Sequence, residues 1–332
     1  MLSIRVNGRE VPVVSARLSL RDVVGGWKVR WNLGRKRYTV APGLYALGTP
    51  TAESPVLVTA NYKLTFDKLR AECAGMDAWI LVLDTRGVNV WCAAGKGTFG
   101  TRELEHRALA VRLDRIVSHR TLILPQLGAT GVSGPQVLKD TSWKVVFGPV
   151  RARDIQAFLA NGMRTDQRMR KVDFGVRERL AVAPVELVQA WPFLLGTAAA
   201  STLLALPFGP AYLGRFLAMC VPLVGAVLVG TIAVPALLPL LPFRAFSLKG
   251  AVIGSLWGLA ASLAFKASIG GAFAFLLAGG SLAAFLGMNF TGASTFTCQA
   301  GAELEVRRGT LPMIASLVLG AGLLAASRFL GI

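Results

Sequence analysis

The chain has 332 residues, and its 53% apolar and 16% charged content makes it more apolar than an ordinary soluble protein. Its formal net charge of +18 would suit a protein that binds nucleic acid. Neither an aromatic-interleaved basic motif nor a helix-turn-helix pattern accompanies that charge, so we expect no nucleic-acid partner. The composition argues instead for a chain that is partly embedded in a membrane.

The charges are distributed unevenly. They are frequent up to residue 180 and nearly vanish after residue 185, which predicts a soluble domain over 1–180 and a transmembrane domain over 181–332. Much of the positive excess directly precedes the apolar half, at Arg151, Arg153, Arg164, Arg168, Arg170, Lys171, Arg177 and Arg179. Basic residues in that position usually set orientation and contact anionic head groups, so membrane lipid is an expected partner.

The soluble domain begins with accessory strands. Within residues 1–50 the pattern predicts short strands at Val11–Val14, Trp27–Trp31 and Tyr38–Val40. From residue 55 onward, short apolar strands alternate with helices. The strands are predicted at 56–59, 79–83, 121–124 and 144–147, and the helices at 63–74, 100–113, 133–141 and 151–161. This alternation predicts an α/β fold with a parallel, Rossmann-like sheet.

Ligands of such sheets bind at the carboxyl ends of the strands. The segments that follow the predicted strands are polar or rich in glycine: Thr59-Ala60-Asn61, Asp84-Thr85-Arg86, Pro125–Ser133 and Gly148-Pro149. We therefore expect the ligand-binding edge of the domain to be built from them.

Residues 89–100, Asn-Val-Trp-Cys-Ala-Ala-Gly-Lys-Gly-Thr-Phe-Gly, follow the second of these strands. Gly95, Gly97 and Gly100 match the spacing of a dinucleotide-binding loop, but that loop belongs at the first strand–helix turn of its fold, so the match is weak. The segment also offers Cys92 on an element of small residues, which lets a flat ligand approach the backbone. From the residues alone, a ligand-binding cysteine and a buried structural cysteine remain equally open.

The second half contains five apolar segments of roughly membrane-spanning length. They lie near 187–206, 211–233, 248–265, 269–287 and 310–330. One side of the predicted membrane has the basic cluster that precedes the apolar half, together with Arg244, Lys249, Arg307 and Arg308. The opposite side has only Arg215, Lys266 and Arg328. The positive-inside rule then predicts a multi-pass protein of the cytoplasmic membrane with the soluble domain in the cytoplasm and the C-terminus outside.

The four cysteines, Cys73, Cys92, Cys220 and Cys298, have neither CxxC nor Cys/His spacing. We therefore expect no zinc site and no iron–sulfur cluster in this chain. The polar segment 1–10 lacks the apolar core of a signal peptide, so membrane insertion is expected to depend on the later helices.

Asn89–Lys96 resembles the cap-helix motif N-[VI]-W-C-A-[AG]-G-K of the HgcA family, corrinoid proteins that methylate mercury. Similar sequence continues at 58–63, 124–132, 147–152 and 290–297, and the plan of a corrinoid domain followed by five membrane helices is also similar. The resemblance covers most of residues 55–332, while residues 1–50 contribute little and Cys298 has no counterpart that we can assign.

The resemblance implies a methyltransferase with a cobamide cofactor, in which the Cys92 thiolate ligates cobalt from the lower face and a methyl group passes to Hg(II). The residues it implies for holding the cofactor are Thr59, Ala60, Asn61, Asn89, Val90, Trp91, Cys92, Ala93, Ala94, Gly95, Lys96, Gly128, Ala129, Thr130, Gly131, Val132, Ser133, Gly148, Pro149 and Val150. It further implies two protein partners, a ferredoxin-like electron donor with two [4Fe-4S] clusters and a methyltransferase that supplies the methyl group.

Two other functions remain compatible with the sequence. One is a corrinoid methyl carrier of one-carbon metabolism for which mercury is incidental. The other is a membrane transporter or sensor whose soluble domain binds a nucleotide. The absence of Asp, Glu and His from the apolar segments argues against a proton-coupled transporter.

Overall fold

The computed structural model describes residues 3–330. They form two compact units, one of residues up to 29 and 33–172, and the other of residues 30–32 and from 173 onward. The first unit is an α/β domain and the second consists of helices.

The described part of the first unit contains one seven-stranded sheet in the order β1-β2-β3-β5-β4-β6-β7. The strands are β1 (Ser3–Val6), β2 (Arg9–Val14), β3 (Gly43–Leu47), β4 (Val56–Ala60), β5 (Ala78–Leu83), β6 (Thr121–Leu124) and β7 (Lys144–Phe147). Strands β5, β4, β6 and β7 are mutually parallel, as predicted. Because β1/β2 and β3/β5 pair antiparallel, the sheet is mixed and the prediction of a parallel sheet was too simple.

Helices cover both faces of this sheet because its central strands are apolar on both sides. Along β5, Trp79, Leu81 and Leu83 enter one core, whereas Ile80 and Val82 enter the other. The helices of this unit are α1 (Leu20–Arg30), α2 (Lys63–Glu72), α3 (Val90–Gly95), α4 (Thr101–Ala110), α5 (Gly134–Thr141) and α6 (Ile155–Ala160). Residues of α3, α4 and α5 pack in the first core, and residues of α2 and α6 pack in the second.

The predicted strand Trp27–Trp31 is wrong, because residues 27–30 belong to α1. Its aromatic and β-branched residues favoured a strand, but a capping box precedes them. Asp22 accepts hydrogen bonds from the amide and the hydroxyl of Ser19 (2.9 and 2.8 Å). This S-x-x-D pattern starts a helix and was visible in the sequence. Tyr38–Val40 is also no strand and contributes a single bridge between Thr39 and Tyr62, whereas β1 and β3 were not predicted.

The second unit contains α7 (Val176–Gln189), α8 (Trp191–Ala205), α9 (Tyr212–Leu228), a π-helical turn (Val229–Ala233), α10 (Val234–Leu237), α11 (Phe246–Ala264), α12 (Ile269–Asn289) and α13 (Gln299–Leu330). Four segments of the described residues are long and apolar enough to cross a membrane: Trp191–Leu240, Phe246–Ala264, Ile269–Ala293 and Ala300–Ser327. The 50-residue first segment contains the second predicted span, 211–233, and all but the first four residues of the first, 187–206. Gly209, with φ 50° and ψ −120°, breaks it between α8 and α9. The count of five spans stays a prediction.

Helices α11 and α12 approach each other through small residues. A Cβ placed on Gly254 would lie 2.4 Å from the carbonyl oxygen of Gly279, and one on Gly258 would lie 2.2 Å from that of Phe275. Close backbone contact of this kind is typical of helix pairs in membranes, where small residues maximise packing.

A cluster of charges joins α1 to α2. The Asp22 carboxylate accepts hydrogen bonds from Lys63 Nζ (2.5 Å) and from an Arg70 guanidinium nitrogen (2.9 Å). Asp67 binds the same two cations (2.6 and 2.8 Å). Burial raises the pKa of Asp22, but hydrogen bonds from Lys63, Ser19 and Arg70 outweigh that effect and hold the pKa well below its usual value. The ionised cluster therefore stabilises α1 against the domain at neutral pH.

Replacing Asp22 with Asn tests this cluster, because the amide keeps the size of the side chain but removes its charge. Asp22→Asn is expected to speed deuterium uptake by α1 at neutral pH, by an amount equivalent to about 1–3 kcal/mol of local stability. The folded-state pKa of Asp22 lies below its unfolded value, so this stabilisation is complete above about pH 4 and is lost as the pH falls towards the folded-state pKa. In hydrogen-exchange mass spectrometry, the difference in deuterium uptake by α1 between Asp22→Asn and the wild type should therefore become smaller as the pH falls below about 4.

Glu10→Gln is the matched control. The ion pair of Arg5 and Glu10 is 3.9 Å long, and its side chains are 75% and 69% exposed, so its loss should not change exchange in α1. Equal effects of the two substitutions would contradict a special role for Asp22.

Candidate functional site

The carboxyl ends of β4, β5, β6 and β7 meet at one edge of the sheet because these strands are parallel. From β4 the chain moves outward to β5 on one side, and it later returns to β6 and β7 on the other side. The connections therefore diverge between β4 and β6, and such a switch point is where open α/β sheets bind ligands. Helix α3 lies here, in contact with β4 and with the turn that follows β6.

Helix α3 is short and starts with a side-chain cap. Asn89 adopts an extended conformation, and its side-chain oxygen accepts a hydrogen bond from the Cys92 amide (2.9 Å). Val90, Ala93 and Ala94 are buried beneath the helix. A second set of residues is directed outward: Trp91 is 41% exposed, Cys92 is half-buried, and Gly95 and Lys96 are exposed. Cys92 thus lies on the accessible side of a helix that is anchored from below.

Backbone contacts hold the end of α3 in place. Phe99 is fully buried after the helix and lies against Gly128, where an added Cβ would be 2.6 Å from its ring. A Cβ on Gly131 would lie 2.1 Å from the Phe99 carbonyl oxygen and 3.0 Å from Ala94 Cα. Only a residue without a side chain fits at Gly131, so the segment after β6 sets the position of α3.

Asn61 organises the segment before α3. Its side-chain oxygen accepts hydrogen bonds from the amides of Thr85 (3.1 Å) and Gly87 (2.9 Å) and lies 2.8 Å from the Thr85 hydroxyl. Its amide nitrogen donates to Asp84 (3.2 Å). Arg86 and Gly87 both have positive φ, 56° and 73°, so the chain turns tightly around this side chain before α3 begins.

The predicted site residues differ in accessibility. Thr59, Ala60 and Asn61 are at most 5% exposed, and Gly128, Val132, Gly148 and Pro149 are also buried. Ser133 caps α5 by accepting a hydrogen bond from the Gln136 amide (3.4 Å). Thr130 is exposed, whereas Ala129, Gly131 and Val150 are partly exposed. Contact with a ligand through side chains is therefore open to Trp91, Cys92, Lys96 and Thr130, while the buried residues support the edge from below.

The predicted cofactor-holding residues omitted several residues that shape this edge, although Thr85 belongs to a segment that was predicted to line it. Thr85 is completely buried and Gly87 completes the turn around Asn61, while Phe99 packs under α3. Glu103 of α4 accepts a hydrogen bond from the Asp84 amide (2.8 Å) and pairs with Arg107. For Thr85 the position directly after a strand was an available signal. The roles of Phe99 and Glu103 depend on contacts between distant parts of the chain, which the sequence pattern does not reveal.

The cysteines of this unit have different chemistry. Burial raises the pKa of the Cys73 thiol to about 12, with a further contribution from Glu72, so Cys73 stays protonated and inert. Cys92 is accessible by comparison. Within residues 3–330, no group of three or more His, Cys, Asp and Glu side chains could hold a metal ion.

Gly131→Ala is expected to displace α3, because the new Cβ would collide with backbone atoms that cannot rotate away. We expect faster deuterium uptake over residues 89–99 and a loss of about 1–3 kcal/mol in stability. Gly95→Ala is the control, since an added Cβ there meets nothing within 4 Å. Because alanine favours a helix over glycine by about 1 kcal/mol, this control should leave exchange unchanged or slower. Similar acceleration in both variants would contradict the close contact at Gly131.

Comparisons with known proteins match the same part of the chain. Residues 31–159 match the family model described as CO dehydrogenase/acetyl-CoA synthase delta subunit. The gamma subunit of the acetyl-CoA decarbonylase/synthase complex from Methanopyrus kandleri is 35% identical over 127 residues, which are 38% of this chain and 27% of the relative. Its counterpart from Archaeoglobus fulgidus is 31% identical over 122 residues, 36% of this chain and 26% of the relative.

The corrinoid/iron-sulfur protein large subunit of Moorella thermoacetica is 32% identical over 117 residues, 35% of this chain and 26% of the relative. The chain thus spans about a quarter of the length of the curated relatives it matches. The family match includes α3 and the edge around it but none of the candidate membrane spans. In sequence, the α/β unit is therefore similar to subunits of acetyl-CoA decarbonylase/synthase complexes and to the large subunit of a corrinoid/iron-sulfur protein.

Proposed function

We propose that the α/β unit binds a cobamide on the outward side of α3, at this edge of the sheet, and that the protein transfers a methyl group from this cofactor to Hg(II). The observation that carries the proposal is the position of Cys92. It lies on the outward side of a capped helix at the switch point of a sheet whose sequence is similar to corrinoid proteins. In this proposal the Cys92 thiolate would hold the cobamide as a ligand of its cobalt.

The residues around Cys92 fit a large, flat ligand. An added Cβ on Gly95 or Gly97 would meet nothing within 4 Å, so the space beside α3 is open. Trp91 offers an exposed aromatic side chain next to the cysteine. A corrin ring supplies four nitrogen ligands of its own, so a single protein ligand is sufficient for cobalt.

The thiolate explains why a methyl group would reach mercury. When bound, the cobamide supplies a methyl group held by cobalt. Thiolate sulfur is a strong, soft and anionic donor. As a ligand of the cobalt, Cys92 Sγ would favour departure of the methyl group with its bonding electrons. An electrophilic substrate such as Hg(II) requires this polarity, whereas a carrier that releases the methyl group as a cation gains nothing from the thiolate.

The chain's own residues hold this arrangement. The Asn89 side chain accepts from the Cys92 amide and so fixes the first turn of the helix that carries the sulfur. Lys96 lies four residues after Cys92, on the same side of the segment, and provides a positive charge for an acidic group of the ligand. Asn61 and Gly131 fix the two ends of α3 and thereby the height of Cys92 above the sheet.

A corrinoid methyl carrier of one-carbon metabolism is the second candidate, and the names of the relatives favour it. The matching proteins are subunits of the acetyl-CoA decarbonylase/synthase complex and of a corrinoid/iron-sulfur protein. The two functions differ in the electrophile that accepts the methyl group. Transfer to Hg(II) that depends on Cys92 supports the first function, while transfer to other acceptors that is indifferent to Cys92 supports the second.

Turnover requires electrons and a methyl source that the proposal assigns to partners. The partners are a ferredoxin-like protein with two [4Fe-4S] clusters and a methyltransferase that delivers the methyl group. The proposal also keeps the predicted orientation in the cytoplasmic membrane, with the α/β unit in the cytoplasm and the C-terminus outside. The four candidate spans support membrane association.

Cys92→Ala is expected to abolish methylmercury formation. Alanine preserves helix α3 but removes the sulfur, so the fold should persist while the proposed cobalt ligand is lost. Two measurements check this: methylmercury formed by the full chain with its redox partner and methyl donor, and the visible spectrum after reconstitution with cobalamin. We expect the spectrum of the variant to lose the signature of thiolate ligation. Cys92→His should also fail, because imidazole is a neutral and weaker donor.

Cys298→Ala is the matched control, since it removes an exposed cysteine outside the α/β unit. Its activity and spectrum should equal those of the wild type. Full activity of Cys92→Ala, or an unchanged cobalt spectrum in that variant, would refute the axial role of Cys92.

A further inference from the structure

The outward side of α1 is apolar. Leu20 is 83% exposed, Val23 45%, Val24 49% and Trp27 69%. The spacing i, i+3, i+4 and i+7 places all four on one side of the helix, which we call the α1 outer face. An ordinary surface helix shows the opposite arrangement, with its apolar stripe buried against the domain. This face therefore lacks a cover among the described residues.

Exposure of the α1 outer face is not the result of a loosely attached helix. On the opposite side Gly26 and Val29 are buried. Asp22 is held by Lys63 and Arg70 of α2, and the Tyr38 hydroxyl donates to the Asp22 carbonyl oxygen (3.2 Å). The helix is thus fixed to the domain by one side and presents the other.

The surroundings of this face are strongly basic. Residues 17–37 contain seven basic side chains, Arg17, Arg21, Lys28, Arg30, Arg35, Lys36 and Arg37. Their single acidic residue is Asp22, whose charge is directed inward and already paired with two cations. Arg21 and Lys28, seven residues apart, flank the apolar face along one side and are both exposed. The complementary surface must therefore be apolar in the middle and negatively charged around it.

We propose that α1 lies on the surface of an anionic membrane, with its outer face inserted among the head groups. A short helix with Trp and Leu on one side and Lys and Arg beside them has the chemistry of interfacial helices. Tryptophan favours the boundary between head groups and acyl chains, and the basic side chains pair with anionic lipid. The α/β unit is then held against the bilayer at a defined face.

Two further observations favour lipid over a protein as the occupant. Candidate membrane spans in the same chain tether α1 to a bilayer, so the contact is intramolecular and needs little intrinsic affinity. The family match begins at residue 31, immediately after α1. Helix α1 is thus outside the part that matches the family model, as expected of an element particular to this membrane-associated chain.

The test uses the full chain in lipid nanodiscs and follows the fluorescence of Trp27. The emission of Trp27 is obtained by subtracting the emission spectrum of Trp27→Phe from that of the wild type. Because Trp27 is exposed, this substitution leaves the core intact. In discs of phosphatidylcholine and phosphatidylglycerol, lipids brominated near the head group should quench this difference emission. Quenching should weaken without phosphatidylglycerol, and also in high salt, because the Debye length falls from about 10 Å at 0.1 M to about 3 Å at 1 M.

Arg21→Gln/Lys28→Gln provides the variant with altered charge. Each basic side chain near an anionic leaflet strengthens surface binding roughly fivefold, so the double variant should lower the bound-to-free ratio of α1 roughly 25-fold. The matched control is Trp143→Phe, whose difference emission comes from a buried residue and should not respond to bromination. Neither measurement needs a cofactor, so the result is independent of the proposed methyl transfer.

Unquenched Trp27 emission in discs with phosphatidylglycerol would overturn the proposal. Quenching that is equal in the wild type and the double glutamine variant would also overturn it, because the basic flank would then have no role. The α1 amides could also be protected from exchange only in discs that hold two copies of the chain. That result would identify a second copy as the occupant of the α1 outer face and would overturn the proposal as well.

Discussion

One carboxamide determines how the chain passes from the sheet to the helix that carries Cys92. The Asn61 side chain must accept from two backbone amides and donate to Asp84 at the same time. An aspartate would repel Asp84, and an apolar residue would leave buried donors without partners, at a cost of about 1–3 kcal/mol each. Because Asn61 follows β4 and its partners follow β5, the same side chain joins the ends of two neighbouring strands. The start of α3 is thereby linked to the most buried part of the sheet.

The two ends of α3 depend on different kinds of constraint. Polar hydrogen bonds define its start, through Asn61 and the Asn89 cap, whereas steric contact defines its end, where Gly131 touches the backbone at Phe99 and Ala94. This combination leaves little freedom for a helix of only six residues, which would not be stable in isolation. A metal ligand requires such a fixed position, since a shift of the sulfur would lengthen its bond to the metal. The local structure therefore gives Cys92 a fixed position, as the proposed ligation requires.

The sequence predicts those parts of this fold that depend on neighbouring residues and misses those that depend on contacts between residues far apart in the chain. The four parallel strands were predictable because each is a short apolar run bounded by polar residues, and Cys92 was found through a local motif. Helix α1 was missed although Ser19 and Asp22 form a capping box, because the aromatic residues that suggested a strand lie on its exposed side. Strand β3 pairs with β5, more than thirty residues away, and no local pattern predicts that partner. At the site, Phe99 lies against Gly128 and Glu103 accepts from the Asp84 amide, and these contacts likewise join segments that no local pattern pairs.

The family match separates what is shared from what is particular to this chain. Residues 31–159 contain the switch point, Asn61, α3 and Gly131, so the machinery around Cys92 lies within the part that resembles corrinoid subunits. Helix α1 and the candidate membrane spans lie outside it. The charge cluster of Asp22, Lys63 and Arg70 bridges the two, because Lys63 begins α2 only two residues after Asn61. Through this cluster, the lipid contact proposed for α1 would be linked to the helix that begins just after Asn61.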